Sequence, residues 1–298
     1  MRSVYKFANK FVVDEQKRYP LNQLLTSLVP GLVVDAAWLK AQGISRTSIH
    51  DYVQHGWLER IAPRVYRRPT AAGGESSLRW DIAIVSAQRI GTPTFYAGGL
   101  TALELLGQGH YARLGAERTV HLYDPQGTAP SWLLALSTDA TMILHKRKLF
   151  ADPELGLEWR RLDFGTGRIG ATVPSPDPRE PWDYFMRIAG AERAAVEMME
   201  MVGATLGFEH ADIVFEGLTT LRPRLLSSLL ESCESVRAKR LFLLFTDRHG
   251  HGWAKHLYRE NVNLGRGKRQ IVPGGRLDPR YQITVPRDFA AKAGETAQ

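Results

Sequence analysis

Two short helical patterns joined at a glycine, and followed by an arginine-rich stretch, constrain the fold of this chain more than any other feature. They occupy residues 34–68, VDAAWLKAQGISRTSIHDYVQHGWLERIAPRVYRR. Asp35 can cap the first helix by accepting a backbone N–H, and Gly43 can end it at a positive φ angle. Ser45 can cap the second helix in the same way. The apolar side chains of that second helix recur at the spacing of one buried face: Ile49, Tyr52 and Val53.

A short β-hairpin is expected directly after the second helix. Residues 57–61 and 65–68 alternate like two strands around Ala62-Pro63-Arg64. Helix, turn, helix and hairpin follow one another in a winged helix-turn-helix. We therefore predict an α+β protein, in which an N-terminal winged helix-turn-helix is followed by a larger mixed α/β C-terminal domain.

The outer face of the second helix carries side chains that can read the base edges of duplex DNA. A recognition helix of this kind enters the major groove. The predicted base-reading residues are Arg46, Thr47, Ser48, His50 and Gln54. The predicted phosphate contacts are Lys40, Arg60, Arg64, Arg67 and Arg68. The alternative is a helical hairpin packed inside a larger domain, with its arginines on a solvated face.

The distribution of charge favours the DNA-binding interpretation. The net charge is +8, and residues 1–69 hold 11 Lys and Arg against 5 Asp and Glu. The other 229 residues are close to neutral, with a net charge of +2. The positive excess thus coincides with the helix-turn-helix pattern, as expected for a nucleic-acid module. The turn-rich segment 69–77, PTAAGGESS, predicts a boundary between domains at residues 1–69 and 70–298.

Cysteine content and hydropathy predict a cytoplasmic protein with no membrane contact. Cys233 is the only cysteine, so the chain can form no internal disulfide, which fits a reducing compartment. Its apolar surroundings, LLSSLLESC, favour a small core residue over a nucleophile. No apolar stretch approaches the roughly 18 residues of a transmembrane helix. The N-terminus lacks the pattern of a signal peptide.

The rest of the chain predicts a sheet region followed by helices. Helices are expected at 21–31, 77–91, 175–203, 207–218, 219–233 and 235–250. Strands are expected at 119–124, 141–146, 157–164, 171–175 and 281–285. Residues 95–109, FYAGGLTALELLGQG, predict the end of a strand, a Gly-Gly turn and a short helix.

No segment predicts catalysis, a metal or a cofactor. Gly265-Arg266-Gly267-Lys268 hints at a phosphate loop, but it lacks a preceding strand, the full glycine spacing and a Ser or Thr after the lysine. His249, His251 and His256 lack the further ligands of a closed zinc site. The carboxylates are scattered, without the convergence that a metal-dependent nuclease needs.

The last third of the chain is locally basic. It predicts either a solvated helix face or a surface for RNA or an acidic protein. The candidate residues for such a surface are Arg237, Lys239, Arg240, Lys268 and Arg269.

Three blocks of sequence give the chain a specific resemblance. They are residues 21–28 with 36–69, residues 95–115, and residues 213–257 with 267–286, the last including IVFEGLTTLRPRLLSSLLESCESVRAKRLFLLFTDRHGHGWAKHL. Together they resemble the AbiEi family, the antitoxins of type IV toxin–antitoxin and abortive-infection systems of phage defence. The resemblance implies a repressor that binds repeats in its own promoter. It also implies an antitoxin acting against a nucleotidyltransferase-like AbiEii toxin, without a stable complex.

Two other function classes stay open at this point. One is a transcription regulator whose C-terminal domain senses a small molecule. The other is a nucleic-acid-processing enzyme that the winged helix delivers to its substrate. The sequence offers no nucleophile or carboxylate cluster for the second.

Overall fold

The computed structural model describes residues 21–70, 78–90, 94–109, 118–163, 165–173 and 184–290. Its helices are α1 (21–27), α2 (Ala36–Ala41), α3 (Arg46–Gln54), α4 (Trp80–Arg89), α5 (Gly99–Leu105), α6 (Ala191–Met201), α7 (Phe208–Glu216), α8 (Pro223–Ser232) and α9 (Val236–His249). Its strands are β1 (Val33–Asp35), β2 (Glu59–Ala62), β3 (Val65–Arg67), β4 (Tyr96–Ala97), β5 (Thr119–Tyr123), β6 (Thr141–His145), β7 (Leu157–Leu162), β8 (Ile169–Val173), β9 (Phe185–Ala189), β10 (Arg269–Gln270), β11 (Arg276–Asp278) and β12 (Ile283–Val285). The predicted mixed α and β content is confirmed.

The strands form three sheets. The N-terminal sheet has the order β1-β3-β2 and is antiparallel throughout. A six-stranded sheet has the order β6-β5-β4-β9-β7-β8, in which β4 is antiparallel to β5 and parallel to β9. A small sheet near the C-terminus has the order β10-β12-β11.

The chain divides into two compact units. Unit 1 comprises residues 1–95, 126–143 and 159–186, and unit 2 comprises residues 96–125, 144–158 and 187–298. Unit 1 therefore extends beyond residue 69, and the division into domains at 1–69 and 70–298 stays a prediction. Most of the predicted linker lies outside the described residues.

Helix α4 forms the centre of unit 1. Every residue from Trp80 to Gln88 is buried, and the helix packs against β1. The Ser86 hydroxyl accepts a hydrogen bond of 3.0 Å from the backbone N–H of Val33. This contact fixes the strand that leads into α2.

Unit 2 is built around helices α6 and α9, which pack against each other. The phenylalanines of α7 and α9 fill its core, and the ring centroid of Phe215 lies 5.3 Å from that of Phe242 and 5.5 Å from that of Phe245. Nine of the 11 residues of α6 are buried, and so are the nine consecutive residues 238–246 of α9. They are therefore interior helices, and their charged residues must find partners inside the protein.

A buried polar network joins α6 to the turn between β4 and α5. The Glu197 carboxylate accepts hydrogen bonds from the Tyr96 hydroxyl at 2.7 Å, the Arg193 Nε at 2.9 Å and the Gly99 N–H at 2.9 Å. A Cβ atom at Gly98 would lie 2.4 Å from the Glu197 Oε2. The predicted Gly-Gly turn is thus confirmed, and its first glycine makes room for the carboxylate.

The structure corrects the prediction of one long helical region at residues 175–203. Residues 185–189 form β9, and α6 begins only at Ala191. Four of the five β9 residues are buried, because the strand lies inside the six-stranded sheet. A strand buried on both faces has no alternating pattern, so its sequence resembles a continuation of the apolar helix that follows.

Within the part of the chain that the structure describes, every helix is too short or too polar to cross a bilayer.

Candidate nucleic-acid interface

Asp35 fixes the start of α2, as the sequence predicts. Its Oδ1 accepts a hydrogen bond of 2.7 Å from the Trp38 N–H. Its Oδ2 accepts one of 3.1 Å from the indole N–H of Trp132. The second bond was not foreseen, since Trp132 lies far along the chain in a segment that returns to unit 1. Gly43 follows the helix at φ 79°, in the left-handed region.

Ser45 caps α3 and aligns it. Its hydroxyl accepts a hydrogen bond of 3.0 Å from the Ser48 N–H. The inner face of α3 buries Ile49 and Tyr52, while Val53 is only half-buried. The helix is therefore held by its cap and by one apolar face, and the opposite face points to solvent.

The outer face of α3 presents four of the five predicted base-reading side chains. Arg46, Thr47, His50 and Gln54 are exposed, and the His50 side chain keeps 73% of its surface. Ser48 differs, because it is half-buried and its hydroxyl lies 2.9 Å from that of Ser45. Ser48 thus supports the cap, and the base-reading role stays a prediction for the other four.

The hairpin after α3 has a tip that is tied to the start of α2. Pro63 and Arg64 form the turn between β2 and β3, and Arg64 has a φ of 64°. The Arg64 carbonyl accepts a hydrogen bond of 2.9 Å from the Ala36 N–H. Few non-glycine residues adopt this backbone region, so the bond holds Arg64 in an uncommon conformation. Its side chain remains exposed.

The predicted phosphate contacts fall into two groups. Lys40, Arg60 and Arg64 are exposed, and none of them forms an ion pair within the described residues. Arg67 lies opposite Glu59 across the hairpin and pairs with it at 2.7 Å. Its charge is therefore largely neutralised.

Arg68 has a structural role that the sequence prediction missed. Its Nη1 donates to the carbonyl oxygens of Leu25 at 2.5 Å and Leu28 at 2.7 Å, near the end of α1. The last carbonyls of a helix lack partners inside it, and a basic side chain can satisfy them. We therefore leave Arg68 out of the proposed phosphate surface.

Trp57 is a candidate residue of the nucleic-acid interface that the sequence analysis did not identify. It precedes β2, although a strand was predicted to include it, and it is 39% exposed. Its ring stacks on His55 with the centroids 5.2 Å apart and meets Tyr52 edge-on at 5.6 Å. An aromatic residue directly after the helix-ending Gly56 is the signal that could have identified it.

The predicted C-terminal basic surface is wrong for its three helical members. Lys239 and Arg240 are only 5% and 3% exposed, because most of α9 is interior. Arg237 donates to the carbonyl oxygens of Glu200, at 2.7 Å, and Val202. The other two candidates, Lys268 and Arg269, are exposed as predicted.

The described residues contain no group of three or more His, Cys, Asp and Glu side chains placed to hold a metal ion. Cys233 is buried, as predicted, and burial raises the pKa of its thiol to about 11. The thiol is therefore protonated at neutral pH.

Two family models match consecutive parts of the chain. Residues 17–114 match the N-terminal domain of the AbiEi antitoxin, described as a transcriptional regulator. Residues 117–286 match the AbiEi antitoxin, described as a transcriptional regulator of a type IV toxin–antitoxin system. The chain belongs to the AbiEi antitoxin family. Helices α2 and α3 and the hairpin of β2 and β3 lie within the match to the N-terminal AbiEi domain.

Comparison with solved structures finds the crystal structure of the RV2827C protein from Mycobacterium tuberculosis. It aligns with a TM-score of 0.49 at 15% sequence identity, over 85% of this chain and 85% of that one. No curated protein sequence matches the chain.

Proposed function

We propose that this AbiEi protein binds duplex DNA at repeats in its own promoter and represses transcription there. The observation that supports this most is the free outer face of α3. Arg46, His50 and Gln54 are exposed on it, while Ile49 and Tyr52 bury the opposite face. A capped helix with one anchored and one polar, exposed face has the geometry of a recognition helix.

The hairpin supplies the phosphate contacts in this proposal. Arg60 and Arg64 carry charges that no acid neutralises within the described residues. Lys40, near the end of α2, is a third exposed cation. Contacts to phosphates add affinity for every sequence, and they make binding depend on salt because counterions are released.

Salt dependence tests the phosphate assignment with a control inside the same hairpin. Arg60→Gln removes an unpaired charge, whereas Arg67→Gln removes one that Glu59 already neutralises. The logarithm of the association constant falls linearly with the logarithm of the salt concentration. In fluorescence anisotropy titrations, Arg60→Gln should make this negative slope shallower by about one. Arg67→Gln should change it by less. Equal slopes for wild type and Arg60→Gln would remove the assignment.

We further propose that the protein neutralises a nucleotidyltransferase-like toxin without a stable complex. This part rests on family membership, since no described contact identifies the toxin. Co-expression from unrelated promoters separates it from repression. Arg46→Ala with Arg60→Gln should abolish promoter binding and still restore growth. Failure to restore growth would tie neutralisation to DNA binding, and co-elution of the two proteins in gel filtration would contradict the absence of a complex.

We propose that neither role requires catalysis by this chain. The protein should leave labelled DNA and RNA intact in the presence of Mg²⁺ or Mn²⁺. Cleavage that disappears on mutation of a single acidic residue would instead support the nucleic-acid-processing alternative.

A further inference from the structure

The loop at residues 264–268, Leu-Gly-Arg-Gly-Lys, has the backbone of an anion site. The φ angle is positive at Gly265 (63°) and Gly267 (77°), and it is not positive at Leu264, Arg266 or Lys268. When φ alternates in sign along a short segment, successive N–H groups turn toward one concavity, which favours an anion. Residues 265–268 lack the glycine spacing of a known nucleotide-binding loop, but their backbone conformation can still direct N–H groups toward an anion.

The Arg240 side chain donates hydrogen bonds to two backbone carbonyl oxygens of this loop. Its side chain is 3% exposed, and it donates to the oxygens of Leu264 at 2.8 Å, Gly267 at 2.7 Å and Gln282 at 3.2 Å. Since the Gly267 carbonyl points to the buried guanidinium, the N–H of the same peptide, on Lys268, points away from it. The buried arginine thus fixes the loop with an N–H directed outward.

Three successive N–H groups of the loop have no acceptor among the residues that the structure describes. Within the described residues, those of Arg266, Gly267 and Lys268 donate no hydrogen bond, whereas the Gly265 N–H donates to the Asn263 side chain at 2.9 Å. Exposed N–H groups of this kind can bind water or an anion at little cost. Three adjacent donors are therefore available to a ligand.

Positive charge surrounds these donors. Arg266, Lys268 and Arg269 are exposed, and no ion pair joins any of them to an acid in the part of the chain described. Arg240 adds a fourth charge beneath the loop, where burial and the charge of Arg269 both lower its pKa. An anion at the loop would relieve this repulsion, and it would form charge-assisted hydrogen bonds to Arg266 and Lys268.

We propose that this loop is a phosphate-binding site, formed by the N–H groups of Arg266, Gly267 and Lys268 and the side chains of Arg266 and Lys268. The ligand is a phosphate group, carried either by a free nucleotide or by a nucleic-acid strand. The site lies within unit 2, and its existence does not depend on DNA binding by the winged helix-turn-helix.

The test uses the full-length protein and two probes. MANT-ATP reports binding of a free nucleotide, and a short fluorescein-labelled oligothymidylate reports binding of a strand. Arg266→Gln with Lys268→Gln removes two charges from the loop. Arg224→Gln with Lys255→Gln is the matched control, since both residues are exposed cations of unit 2 without an ion pair in the described structure. Gly267→Val keeps the net charge but disfavours the positive φ, and no atom lies within 4 Å of the added Cβ.

The loop double variant should bind at least one probe about tenfold more weakly, as expected when two charge-assisted contacts are lost. The control should bind like wild type, and Gly267→Val should weaken the same probe. The probe that is affected identifies the source of the phosphate. The proposal is overturned if wild type binds neither probe, if the double variant matches its control, or if Gly267→Val binds like wild type. Arg46→Ala with Arg60→Gln should leave MANT-ATP binding unchanged, which separates this site from the DNA-binding surface.

Discussion

Arg64 combines a strained backbone with an exposed charge, and glycine can separate the two properties. Its φ of 64° suits glycine better than arginine. Arg64→Gly should therefore change the free energy of unfolding by no more than about 1 kcal/mol in either direction. It should still weaken DNA binding, because the phosphate contact is lost.

Gln282→Gly is the matched control for that change, since Gln282 has the only other positive φ of a non-glycine residue among those described, at 53°. It lies outside the hairpin, so affinity for the promoter duplex should fall by less than in Arg64→Gly. Urea unfolding and anisotropy measure the two effects. A large loss of stability in Arg64→Gly, or an unaltered affinity, would contradict the role given to this residue.

Glu197 neutralises the buried charge of Arg193 inside unit 2. It is fully buried beside Arg193, which is 2% exposed. Glu197→Gln leaves the guanidinium charge unpaired, so the free energy of unfolding should fall by about 3–5 kcal/mol. Glu209→Gln, the same change at an exposed position, should have little effect in urea denaturation. If Glu197→Gln lowered the free energy of unfolding by less than about 1 kcal/mol, the Glu197 carboxylate would not be required to neutralise Arg193.

The buried imidazole of His121, beside the half-buried one of His145, makes stability depend on pH. His121 Nδ1 lies 3.0 Å from His145 Nε2, and burial followed by the charge of His145 lowers the pKa of His121 to about 4. The unfolded imidazole takes up its proton near pH 6.5, whereas the folded one does so only near pH 4. The free energy of unfolding is therefore unaffected by His121 above pH 6.5. It falls by about 3 kcal/mol as the pH drops toward 4, because only the unfolded chain takes up the proton.

The histidine effect is measured by urea midpoints between pH 7.5 and 4.5. His121→Gln should flatten the decline in stability, and His256→Gln, at an exposed histidine, serves as the control. Equal declines in both variants would mean that the pair of His121 and His145 does not cause the pH dependence.

At the scale of single elements, the cap of α3 links stability to recognition. Ser45→Ala removes the oxygen that accepts the Ser48 N–H, and it should cost about 1 kcal/mol of unfolding free energy. Ser45→Asp keeps the cap and adds a negative charge at the helix N-terminus, which suits the helix dipole. Ser45→Asp should thus retain stability in urea denaturation but weaken DNA binding in anisotropy by repelling phosphates. If Ser45→Asp binds DNA like wild type, the N-terminus of α3 does not approach the backbone.

Local signals allowed most individual elements to be predicted. The caps at Asp35 and Ser45 and the turn at Gly43 depend on neighbouring residues alone, so the sequence was sufficient for them. The strand β9 was missed because burial on both faces removed its alternating pattern. Burial also explains why the predicted C-terminal basic surface was wrong for α9, since this helix is interior and its Lys239 and Arg240 are buried.

Side-chain partners across long sequence separations could not be predicted. The pairing of Arg67 with Glu59 follows from the register of one hairpin, and the bonds of Arg68 follow from where α1 ends. The hydrogen bond from Trp132 to Asp35 joins residues 97 positions apart. Such partners decide which cations remain unpaired. The sequence could therefore propose a set of DNA-contacting residues, but it could not show that Arg67 and Arg68 are engaged within the protein.

At the scale of the whole molecule, unit 1 is discontinuous in sequence. It takes residues 126–143 and 159–186 in addition to the N-terminal segment. A truncation after residue 69 would remove α4 and Trp132, which contact β1 and the cap of α2. Point variants of the full-length chain are therefore the suitable way to separate DNA binding from neutralisation of the toxin.

The central claim is that the outer face of α3 reads bases while the hairpin holds the backbone. The most direct measurement is the ratio of affinities for a duplex from the protein's own promoter and a scrambled duplex of equal length, at fixed salt. Wild type should favour the promoter. Arg46→Ala with Gln54→Ala should reduce that ratio by about 30-fold or more, since two bidentate contacts at about 1–3 kcal/mol each contribute about 2–6 kcal/mol together, while affinity for the scrambled duplex changes little. An unchanged ratio in the double variant would contradict the claim.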